Sequence, residues 1–506
     1  MSGTARRRPG GGGGGERGNG RPARRVPAER ISAARLVAFD VLEAVRADEA
    51  YANLLLPARI RRAGLSRADA AFATELTYGT LRMQGLYDLV IELAAGRPTG
   101  EIDPAVLDVL RLGTHQLLAT RVPTHAAVYE QVGLARRVAP KAAGFANAVL
   151  RTISRTSSEA WRDLAAEGAR NDDDRLARLG SHPTWVVRAF RAALEREGRA
   201  AELGELLEAD NASPRVNLAL LPGLGVDTTQ IEGFEPDRFS PIGATGADPI
   251  GAAEASGGLV RVQDEGSQLA ALTLTRAEPV RAGERWLDLC AGPGGKTAVL
   301  AAEALAGGAT LVANELVPAR AELVRRAIAA VPLDVDVRVG DGRELDPAVL
   351  GAPGGFDRIL LDAPCTGLGA LRRRPEARWR KAPSDVAELT KLQGDLFDAA
   401  VGALAPGGIL AYVTCSPHTA ETRGVLAAGL DRWRGRVEQL DTEATAQAVS
   451  RHPLDLAGGP GTVQLWPHRH GTDAMFIALV RRTDIDAESA EPAAASAAAQ
   501  PVDAPR

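Results

Sequence analysis

A change of hydrophobic spacing near residue 259 limits the folds open to this chain more than any other feature. Before it, apolar residues recur at helical spacing, whereas after it short β-rich runs alternate with helical segments. The runs that read as strands are ERWLDLC, TLVANE, VDVRV, FDRILLD and GILAYVTC, followed by TVQLW and AMFIALV. Alternation of strand and helix predicts a mostly parallel sheet with helices on both faces. Such sheets bind ligands beyond the carboxyl ends of their strands, near the point where the strand order reverses.

The part before this change divides into a helical region and a less regular one. Residues 31–160 hold several segments of helical spacing joined by short Gly/Pro connections, which predicts a compact bundle. Residues 161–258 are predicted to form a small middle domain and a linker. Within them, residues 185–207 read as a helical pair and residues 214–223 have strand character. Residues 229–258 are rich in Gly and Pro, which predicts a linker or long loop.

Length and composition bound the class of protein. A chain of 506 residues has room for about three domains. Its 45% hydrophobic and 25% charged residues are typical of a soluble globular protein, and no uninterrupted apolar run is long enough to cross a bilayer. The first residues lack the apolar core of a signal peptide. Since three cysteines cannot form a disulfide framework, we expect a reducing cytoplasm and no membrane partner.

Both ends of the chain are predicted to be disordered. Residues 1–30 are rich in Gly, Arg and Pro and carry eight arginines against two acidic residues, Glu16 and Glu29. This basic tail favours a phosphate partner although the whole chain has a net charge of −4; a solvated tail without a function is the alternative. Residues 483–506 are rich in Ala, Pro and Glu, which predicts an unstructured tail.

A glycine-rich loop follows the first predicted strand of the C-terminal half. It reads DLCAGPGGKT over residues 288–297, with glycines at 292, 294 and 295. Glycine allows a tight turn and a close approach of the backbone to a ligand at a helix N-terminus, so a nucleoside cofactor would fit. The ending GGKT also resembles a phosphate-binding Walker A motif, but that motif requires glycine where this chain has Cys290.

Acidic residues follow the next two predicted strands. Glu315 ends the second strand, at about the spacing where a carboxylate accepts hydrogen bonds from ribose hydroxyls, and Asp341 after the third is placed to contact an adenine edge. Carboxylates that only cap the following helices are the alternative. A nicotinamide cofactor shares this architecture, but the sequence has neither a full G-x-G-x-x-G nor a hydride-transfer constellation.

Two of the three cysteines stand at later strand ends. Cys365 lies in DAPCTGLG (362–369) and Cys415 in TCS (414–416). Beside a methyl donor, two thiols suggest attack on cytosine, because thiolate addition at carbon 6 makes carbon 5 nucleophilic. Small buried hydrophobic residues are the alternative for free cysteines, and a metal site is not expected because the paired ligand spacing is missing. Chemistry alone does not order the two thiols.

Taken together, these motifs resemble the Sun/Fmu family of RNA cytosine-5 methyltransferases, in its bacterial small-subunit ribosomal RNA type with a NusB-like helical domain. The resemblance covers residues 31–482. It is carried by VQDEGSQL (262–269), DLCAGPGGKT, Glu315, Asp341, DAPCTGLG, RRRPEARW (372–379), TCS with Glu421, WPHRHGTDAMFIA (466–478), and, in the helical part, THAAVYEQVGLARR (124–137) and FANAVLR (145–151).

The resemblance implies a multidomain fold: an N-terminal all-α NusB-like bundle that binds RNA, a small middle domain, and a C-terminal α/β Rossmann-like class I methyltransferase domain over residues 259–482. It implies that S-adenosylmethionine is the cofactor. Cys415 would be the nucleophile, Cys365 would assist product release, and Asp362 would also hydrogen-bond the protonated base. The implied cofactor residues are Cys290, Ala291, Gly292, Pro293, Gly294, Gly295, Lys296, Glu315, Asp341 and Asp362. Gly292 departs from the alanine that is usual in the family.

A basic run follows the Cys365 loop. We expect its arginines to contact RNA phosphates while the target base leaves its stack to reach the thiols. A solvated charged loop is the alternative reading of such a run. The candidate residues are Arg372, Arg373, Arg374 and Arg378.

The leading hypothesis is a monomeric, cytoplasmic, metal-free enzyme that methylates carbon 5 of a cytosine in 16S ribosomal RNA. One alternative is a non-catalytic NusB-like RNA-binding or ribosome-assembly factor, but an idle domain should have lost a thiol or the cofactor loop, and both are intact. The other is a small-molecule methyltransferase, which would need neither the helical bundle nor two thiols.

Overall fold

The computed structural model describes residues 31–457, 459 and 461–483. The predicted tail over residues 1–30 lies outside this part of the chain, and so does the predicted tail over 483–506 apart from Thr483.

The N-terminal part is a helical bundle, as the apolar spacing predicted. Local signals set the helix ends: for example, Asp103 caps α5 by accepting hydrogen bonds from the amides of Ala105 and Val106, and Pro104 occupies the first helical position. Apolar side chains of these helices share one core. The helices are α1 (Ala33–Ala47), α2 (Ala52–Ala63), α3 (Arg67–Arg82), α4 (Gln84–Ala95), α5 (Pro104–Ala119), α6 (Thr124–Val138) and α7 (Ala143–Ile153).

A second helical layer connects this bundle to the rest of the chain. It consists of α8 (Ser158–Glu167), α9 (Asp172–Gly180), α10 (Thr184–Arg196) and α11 (Leu203–Asn211). Buried residues of α9 to α11, such as Phe190 and Leu206, form one core with Leu368, Leu371 and Trp466 from the C-terminal half. The middle region is therefore packed between the two larger domains rather than standing apart.

A small antiparallel sheet follows, with the strand order β2-β3-β1-β4. Its elements are β1 (Leu218–Leu220), β2 (Glu235–Pro236), β3 (Gly243–Thr245), α12 (Pro249–Ala255) and β4 (Val260–Val262). The prediction that 229–258 is a linker is corrected, because two strands and a helix lie there; strands of two or three residues leave no periodicity to detect. The boundary expected at 259 also divides this sheet, since β4 pairs with β1.

The C-terminal domain contains a mixed sheet with the order β10-β12-β9-β8-β5-β6-β7, and β11 pairs with β12. Strands β9, β8, β5, β6 and β7 are parallel, whereas β10, β11 and β12 are antiparallel additions. The strands are β5 (Arg285–Asp288), β6 (Thr310–Glu315), β7 (Asp336–Val339), β8 (Phe356–Asp362), β9 (Leu404–Thr414), β10 (Val437–Gln439), β11 (Thr462–Gln464) and β12 (Phe476–Arg482).

The strand order places the sequence motifs at one edge. The chain runs from β5 outward through β6 and β7 and then crosses to β8 on the other side of β5, so the order reverses beside β5. Asp288, Glu315 and Asp362 are the last residues of β5, β6 and β8, and Cys415 comes directly after β9. The predicted convergence of the motifs at the carboxyl edge of the sheet is confirmed.

Helices cover both faces of this sheet. The helices of this domain are α13 (Glu265–Thr275), α14 (Gly295–Gly307), α15 (Pro318–Ile328), α16 (Ala377–Arg380), α17 (Pro383–Ala403), α18 (Val425–Arg432), α19 (Thr442–Val449) and α20 (Pro467–His470), of which α16 and α20 are single turns. One face buries Trp286, Leu300 and Ile477, and the other buries Phe397 and Tyr412. Two cores hold the sheet rigid, so the loops at its edge are carried on a fixed frame.

Candidate active site

The glycine-rich loop joins β5 to α14 and packs closely against α15. Gly294 has a φ of +102°, and a Cβ there would lie 2.5 Å from the Cβ of Ala327 and 2.9 Å from the Cα of Val324. A side chain at this position is therefore excluded both by backbone conformation and by space. The tight turn expected from the sequence is present, and it starts α14 at Gly295.

Glu315 is tied to this loop. Its two carboxylate oxygens accept hydrogen bonds from the amides of Gly292 (2.9 Å) and Val317 (3.0 Å), and Arg320 forms an ion pair with it at 3.6 Å. A Cβ on Gly292 would lie 2.2 Å from a Glu315 oxygen. An alanine at this position, which the family resemblance led us to expect, would therefore have to displace the Glu315 carboxylate. Glycine at 292 allows the carboxylate to approach the loop.

Asp341 lies past the end of β7, at the same edge. Arg343 donates hydrogen bonds to both of its carboxylate oxygens, at 3.0 and 3.1 Å from Nε. These hydrogen bonds lower the pKa of Asp341 to about 2. The carboxylate is therefore ionised at neutral pH, and a ligand would have to share it with Arg343.

Asp288 is a further acidic group in the loop, and no role was predicted for it from the sequence. It is buried and accepts a hydrogen bond from Thr297 Oγ1 at 2.7 Å. Burial raises its pKa to about 7, and its Oδ1 has no hydrogen-bond partner within the described residues. A buried polar atom without a partner at a glycine-rich turn fits a site that takes a polar ligand.

Lys296 links the loop to the end of β8. Its Nζ lies 2.7 Å from Asp362 Oδ2, and the lysine side chain is only 11% exposed. Burial opposes the charge, but the ion pair with Asp362 outweighs it and raises the pKa of Lys296. The cationic lysine and Asp362 therefore stand together between the glycine-rich loop and the thiols.

The structure brings Cys365 and Cys415 into direct contact. Their sulfur atoms are 3.4 Å apart and both thiols are free and partly accessible. The hydrogen bond between the two thiols lowers the pKa of Cys415 in spite of burial, and Lys296 and Arg374 lower it further. The same hydrogen bond, together with burial, raises the pKa of Cys365 well above that of an ordinary thiol. Cys415 is thus the thiol that more readily becomes a thiolate, while Cys365 keeps its proton.

Cys290, the third cysteine, sits in the wall of the glycine-rich loop. It packs against the core on one face of the sheet, and burial raises the pKa of its thiol. A thiol that resists ionisation next to apolar neighbours is not placed for nucleophilic attack.

One buried carboxylate connects the two thiol-bearing loops. Glu421 accepts hydrogen bonds from the Thr366 amide (2.7 Å), the Thr366 hydroxyl (2.5 Å) and the Ser416 hydroxyl (2.6 Å). Thr366 and Ser416 directly follow Cys365 and Cys415 in the chain. Glu421 thus fixes the positions of the two thiol-bearing loops relative to each other. The sequence analysis quoted it only as part of a motif, because hydrogen bonds spanning 55 residues leave no local pattern.

The structure corrects two of the predicted RNA contacts, at Arg372 and Arg378. Arg378 is fully buried and donates from Nη1 to the carbonyl oxygens of Arg82 and Ser181, each at 2.9 Å. Arg372 is 5% exposed and pairs with Asp264 at 3.2 Å and with Asp473 at 3.0 Å. These guanidinium groups are already neutralised or hydrogen-bonded in the interior, so they do not face RNA.

Arg373 and Arg374 differ from that pair and from each other. Arg373 is partly buried and also pairs with Asp264 (2.6 Å) and Asp473 (2.9 Å). Arg374 is exposed, and no carboxylate of the described residues forms an ion pair with it. Within the predicted set, Arg374 alone presents an uncommitted guanidinium at the surface.

The different protonation of the two thiols leads to a test by alkylation. At pH 7, iodoacetamide is expected to modify Cys415 faster than Cys365 or Cys290, because the lowered pKa of Cys415 increases its thiolate fraction. In Cys365→Ala the hydrogen-bond partner of Cys415 is gone, so the midpoint of Cys415 alkylation should move to higher pH. Peptide mass spectrometry across a pH series measures both. Faster modification of Cys365 than of Cys415 would contradict the assignment.

The described residues also bear on membranes and metals. No helix among them combines the length and apolar character needed to cross a bilayer. In the same part of the chain, no group of three or more His, Cys, Asp or Glu side chains is arranged to hold a metal ion.

Comparison with known proteins gives the family. Residues 276–481 match the family described as 16S rRNA methyltransferase RsmB/F, and residues 32–155 match the NusB family. A Mycobacterium tuberculosis protein with a provisional methyltransferase name is 48% identical over 473 residues, which are 91% of this chain and 99% of that protein. Ribosomal RNA small subunit methyltransferase B of Pseudomonas putida is 36% identical over 441 residues, which are 84% of this chain and 95% of that protein.

A solved structure shares the fold over nearly the whole length. The protein PH0851 superimposes with a TM-score of 0.72 at 22% identity, covering 90% of this chain and 99% of its own. The expected arrangement of a helical NusB domain before a methyltransferase domain is confirmed, and the methyl donor is S-adenosylmethionine. The chain belongs to the 16S rRNA methyltransferase RsmB/F family and carries a NusB domain at its N-terminal side.

Proposed function

We propose that this protein transfers a methyl group from S-adenosylmethionine to carbon 5 of a cytosine in 16S ribosomal RNA, through a covalent bond between Cys415 and the base. The observation that carries the proposal is the pair of thiols 3.4 Å apart at the end of the sheet, with the lower pKa on Cys415. The names of relatives such as the P. putida enzyme support ribosomal RNA as the substrate.

The proposed reaction begins with the Cys415 thiolate. Its sulfur bonds to carbon 6 of cytosine, and the electrons of the 5,6 double bond make carbon 5 nucleophilic. When bound, S-adenosylmethionine supplies the electrophilic methyl group that carbon 5 takes. We assign to Asp362 a hydrogen bond to the protonated base, and Lys296 keeps this carboxylate in place through their 2.7 Å contact.

Product release needs two bond changes. The electrons of the carbon 5–hydrogen bond re-form the 5,6 double bond as the proton passes to water, and the sulfur–carbon 6 bond breaks with its electron pair returning to Cys415, which restores the aromatic ring. Cys365 lies 3.4 Å from that sulfur and is placed to assist this step. Glu421 is proposed to act indirectly, by holding the residues that follow both thiols.

The cofactor is assigned to the glycine-rich loop and the strand ends around it. The close turn at Gly294, the unpartnered Oδ1 of Asp288, and the carboxylates of Glu315 and Asp341 support this placement. In full, the proposed cofactor residues are Cys290, Ala291, Gly292, Pro293, Gly294, Gly295, Lys296, Glu315, Asp341 and Asp362. We further propose that the enzyme works in the cytoplasm, where its three free cysteines stay reduced.

A methylation assay tests the function. The purified protein is incubated with methyl-labelled S-adenosylmethionine and 16S ribosomal RNA, and the RNA is digested to nucleosides. We expect label in 5-methylcytidine, and none when Cys415→Ala replaces the wild type. Label in another nucleoside would overturn the proposed chemistry. RNA binding without any methyl transfer would favour the non-catalytic RNA-binding alternative, which the intact thiol pair and the Lys296–Asp362 contact argue against.

A further inference from the structure

The segment that follows the Cys365 loop is where the methyltransferase domain holds the helical domain. Arg380 donates hydrogen bonds to three carbonyl oxygens. That of Val45 (2.9 Å) lies in the last turn of α1, and those of Glu49 (2.9 Å) and Ala50 (2.7 Å) follow the helix. Glu376 accepts a hydrogen bond from the Ala52 amide at 3.1 Å, at the start of α2. The short link between α1 and α2 is therefore fixed against the catalytic domain from both sides.

Tyr51 lies in this link and is presented to solvent. It precedes α2, and the residue is 45% exposed although its neighbour Ala52 is fully buried. The Cζ atoms of Arg374 and Arg380 lie 5.5 and 5.3 Å from the centroid of its ring. An aromatic ring is thus held at the surface beside two cationic groups, on a backbone that the interface fixes.

Arg374 can exchange its contact with Tyr51 for a ligand. Arg380 is held by three carbonyl oxygens, whereas Arg374 is exposed and has no ion-pair partner among the described residues. A guanidinium of this kind binds phosphate oxygens without giving up a structural contact elsewhere. The ring and the two guanidinium planes together offer surfaces on which a nucleobase can stack.

This group lies near the thiols. The Gly369 amide donates a hydrogen bond to the Cys415 carbonyl oxygen at 2.8 Å, and Arg374 follows Gly369 by five residues. The residues between them form tight turns, which advance about 2 Å each and so about 10 Å in all. Arg374 therefore lies within about 10 Å of the backbone that contacts the Cys415 loop.

A cleft beside Tyr51 adds room for a base. It has a volume of about 650 Å³ and is lined on the helical-domain side by Tyr51 and Gln84 and on the catalytic side by Trp379, Arg380 and Lys381. Trp379 is 38% exposed, so a second aromatic surface borders the same opening. This volume is within the range of small-molecule binding sites.

We propose that Tyr51, with Arg374 and Arg380, is a stacking site for a nucleotide that flanks the target cytosine, with Arg374 also pairing with its phosphate. The inference rests on the proposed function only in taking the ligand to be the single-stranded RNA that carries the target base. The helical domain would then be a direct part of the RNA-binding surface at the active site. Tyr51 itself lies more than 300 residues before the two thiols in the sequence.

The test compares variants that keep or remove the aromatic face. Tyr51→Phe keeps the ring, whereas Tyr51→Leu keeps apolar bulk without it. Affinity for a labelled single-stranded fragment of 16S ribosomal RNA is measured by fluorescence anisotropy without cofactor. Tyr51→Leu is expected to weaken binding about five-fold to a hundred-fold, the range that base stacking on an aromatic residue contributes, and Tyr51→Phe to leave it nearly unchanged. In the methylation assay Tyr51→Leu should raise KM for RNA more than it lowers kcat.

A matched control is available in the same domain. Tyr129 on α6 is 51% exposed, and Tyr129→Leu should leave RNA affinity unchanged. Equal affinities for Tyr51→Leu and Tyr129→Leu would overturn the proposal. If Tyr51→Leu fails to fold, Arg374→Gln carries the test: it should weaken binding a few-fold and reduce the slope of log affinity against log salt by about 1. An unchanged slope would also overturn the proposal.

The two proposals fail in different ways. If the wild type binds RNA with the expected dependence on Tyr51 but methylates no RNA, the stacking site stands and the proposed function fails. If the wild type makes 5-methylcytidine and Tyr51→Leu matches the wild type in affinity and KM, the function stands and the stacking site fails.

Discussion

Cys415→Ala is expected to abolish methyl transfer. Without the sulfur, carbon 5 of the cytosine stays too weak a nucleophile, and the rate should fall by at least about a thousandfold, the scale seen when an enzyme loses its nucleophile. No protein–RNA adduct should form. Methyl incorporation and denaturing gel electrophoresis measure the two effects on the same samples.

Cys365→Ala is expected to have a different result. Under the proposed mechanism the Cys415 sulfur can still attack, but the thiol 3.4 Å away that we propose to assist release is gone, so a covalent protein–RNA adduct should accumulate as a band of reduced mobility. Because Cys365 also lowers the pKa of Cys415, adduct formation in this variant should be faster at higher pH. Cys290→Ala serves as the matched thiol control and should form no lasting adduct. An adduct in Cys415→Ala but not in Cys365→Ala would mean that the roles are reversed.

Arg378→Ala is expected to destabilise the protein strongly. Arg378 is fully buried where the helical domain, α11 and the catalytic domain meet, and it donates hydrogen bonds to the Arg82, Ser181 and Asp210 carbonyl oxygens and to the Asn211 side chain. Removing it leaves these acceptors without partners and a cavity between domains. The free energy of unfolding should fall by about 3–5 kcal/mol, as for other broken buried charged contacts.

The control for this variant is another arginine of the same segment. Arg374 is exposed and forms no ion pair within the described residues, so Arg374→Ala should change the free energy of unfolding by less than about 0.5 kcal/mol. Urea unfolding followed by circular dichroism, together with limited proteolysis between the domains, measures the difference. Equal unfolding midpoints for the two variants would contradict the structural role of Arg378.

Arg378 is buried and Arg374 is exposed, although they belong to the same basic run. This difference explains why the prediction that the whole run contacts RNA was wrong. As a sequence, RRRPEARW has four arginines against one acidic residue, Glu376, and such basic runs are usually solvated or bind phosphate. The carboxylates and carbonyl oxygens that satisfy it come from distant parts of the chain, such as Asp264, Asp473 and Arg82. Arg378 of this run thus joins domains, Arg372 and Arg373 pair with carboxylates, and Arg374 remains available to a ligand.

Sequence by itself determined the architecture of the catalytic edge. Strand periodicity and the residues that end each run were enough to predict that the glycine-rich loop, Glu315, Asp362 and Cys415 would converge, because the carboxyl ends of parallel strands meet at one edge whatever the packing around them. Family motifs added an order for the two thiols, with Cys415 as the nucleophile.

Tertiary structure decided what depends on contacts between distant residues. The 3.4 Å contact between Cys365 and Cys415 and the nearby charge of Lys296 lower the pKa of Cys415, which supports the proposed order of the thiols, and Glu421 joins their loops across 55 residues. Burial of Arg378 depends on a partner 296 residues away. The spacing of residues in the sequence cannot predict such contacts. The protonation and burial of a side chain are set by the residues that folding brings next to it, not by its neighbours in the chain.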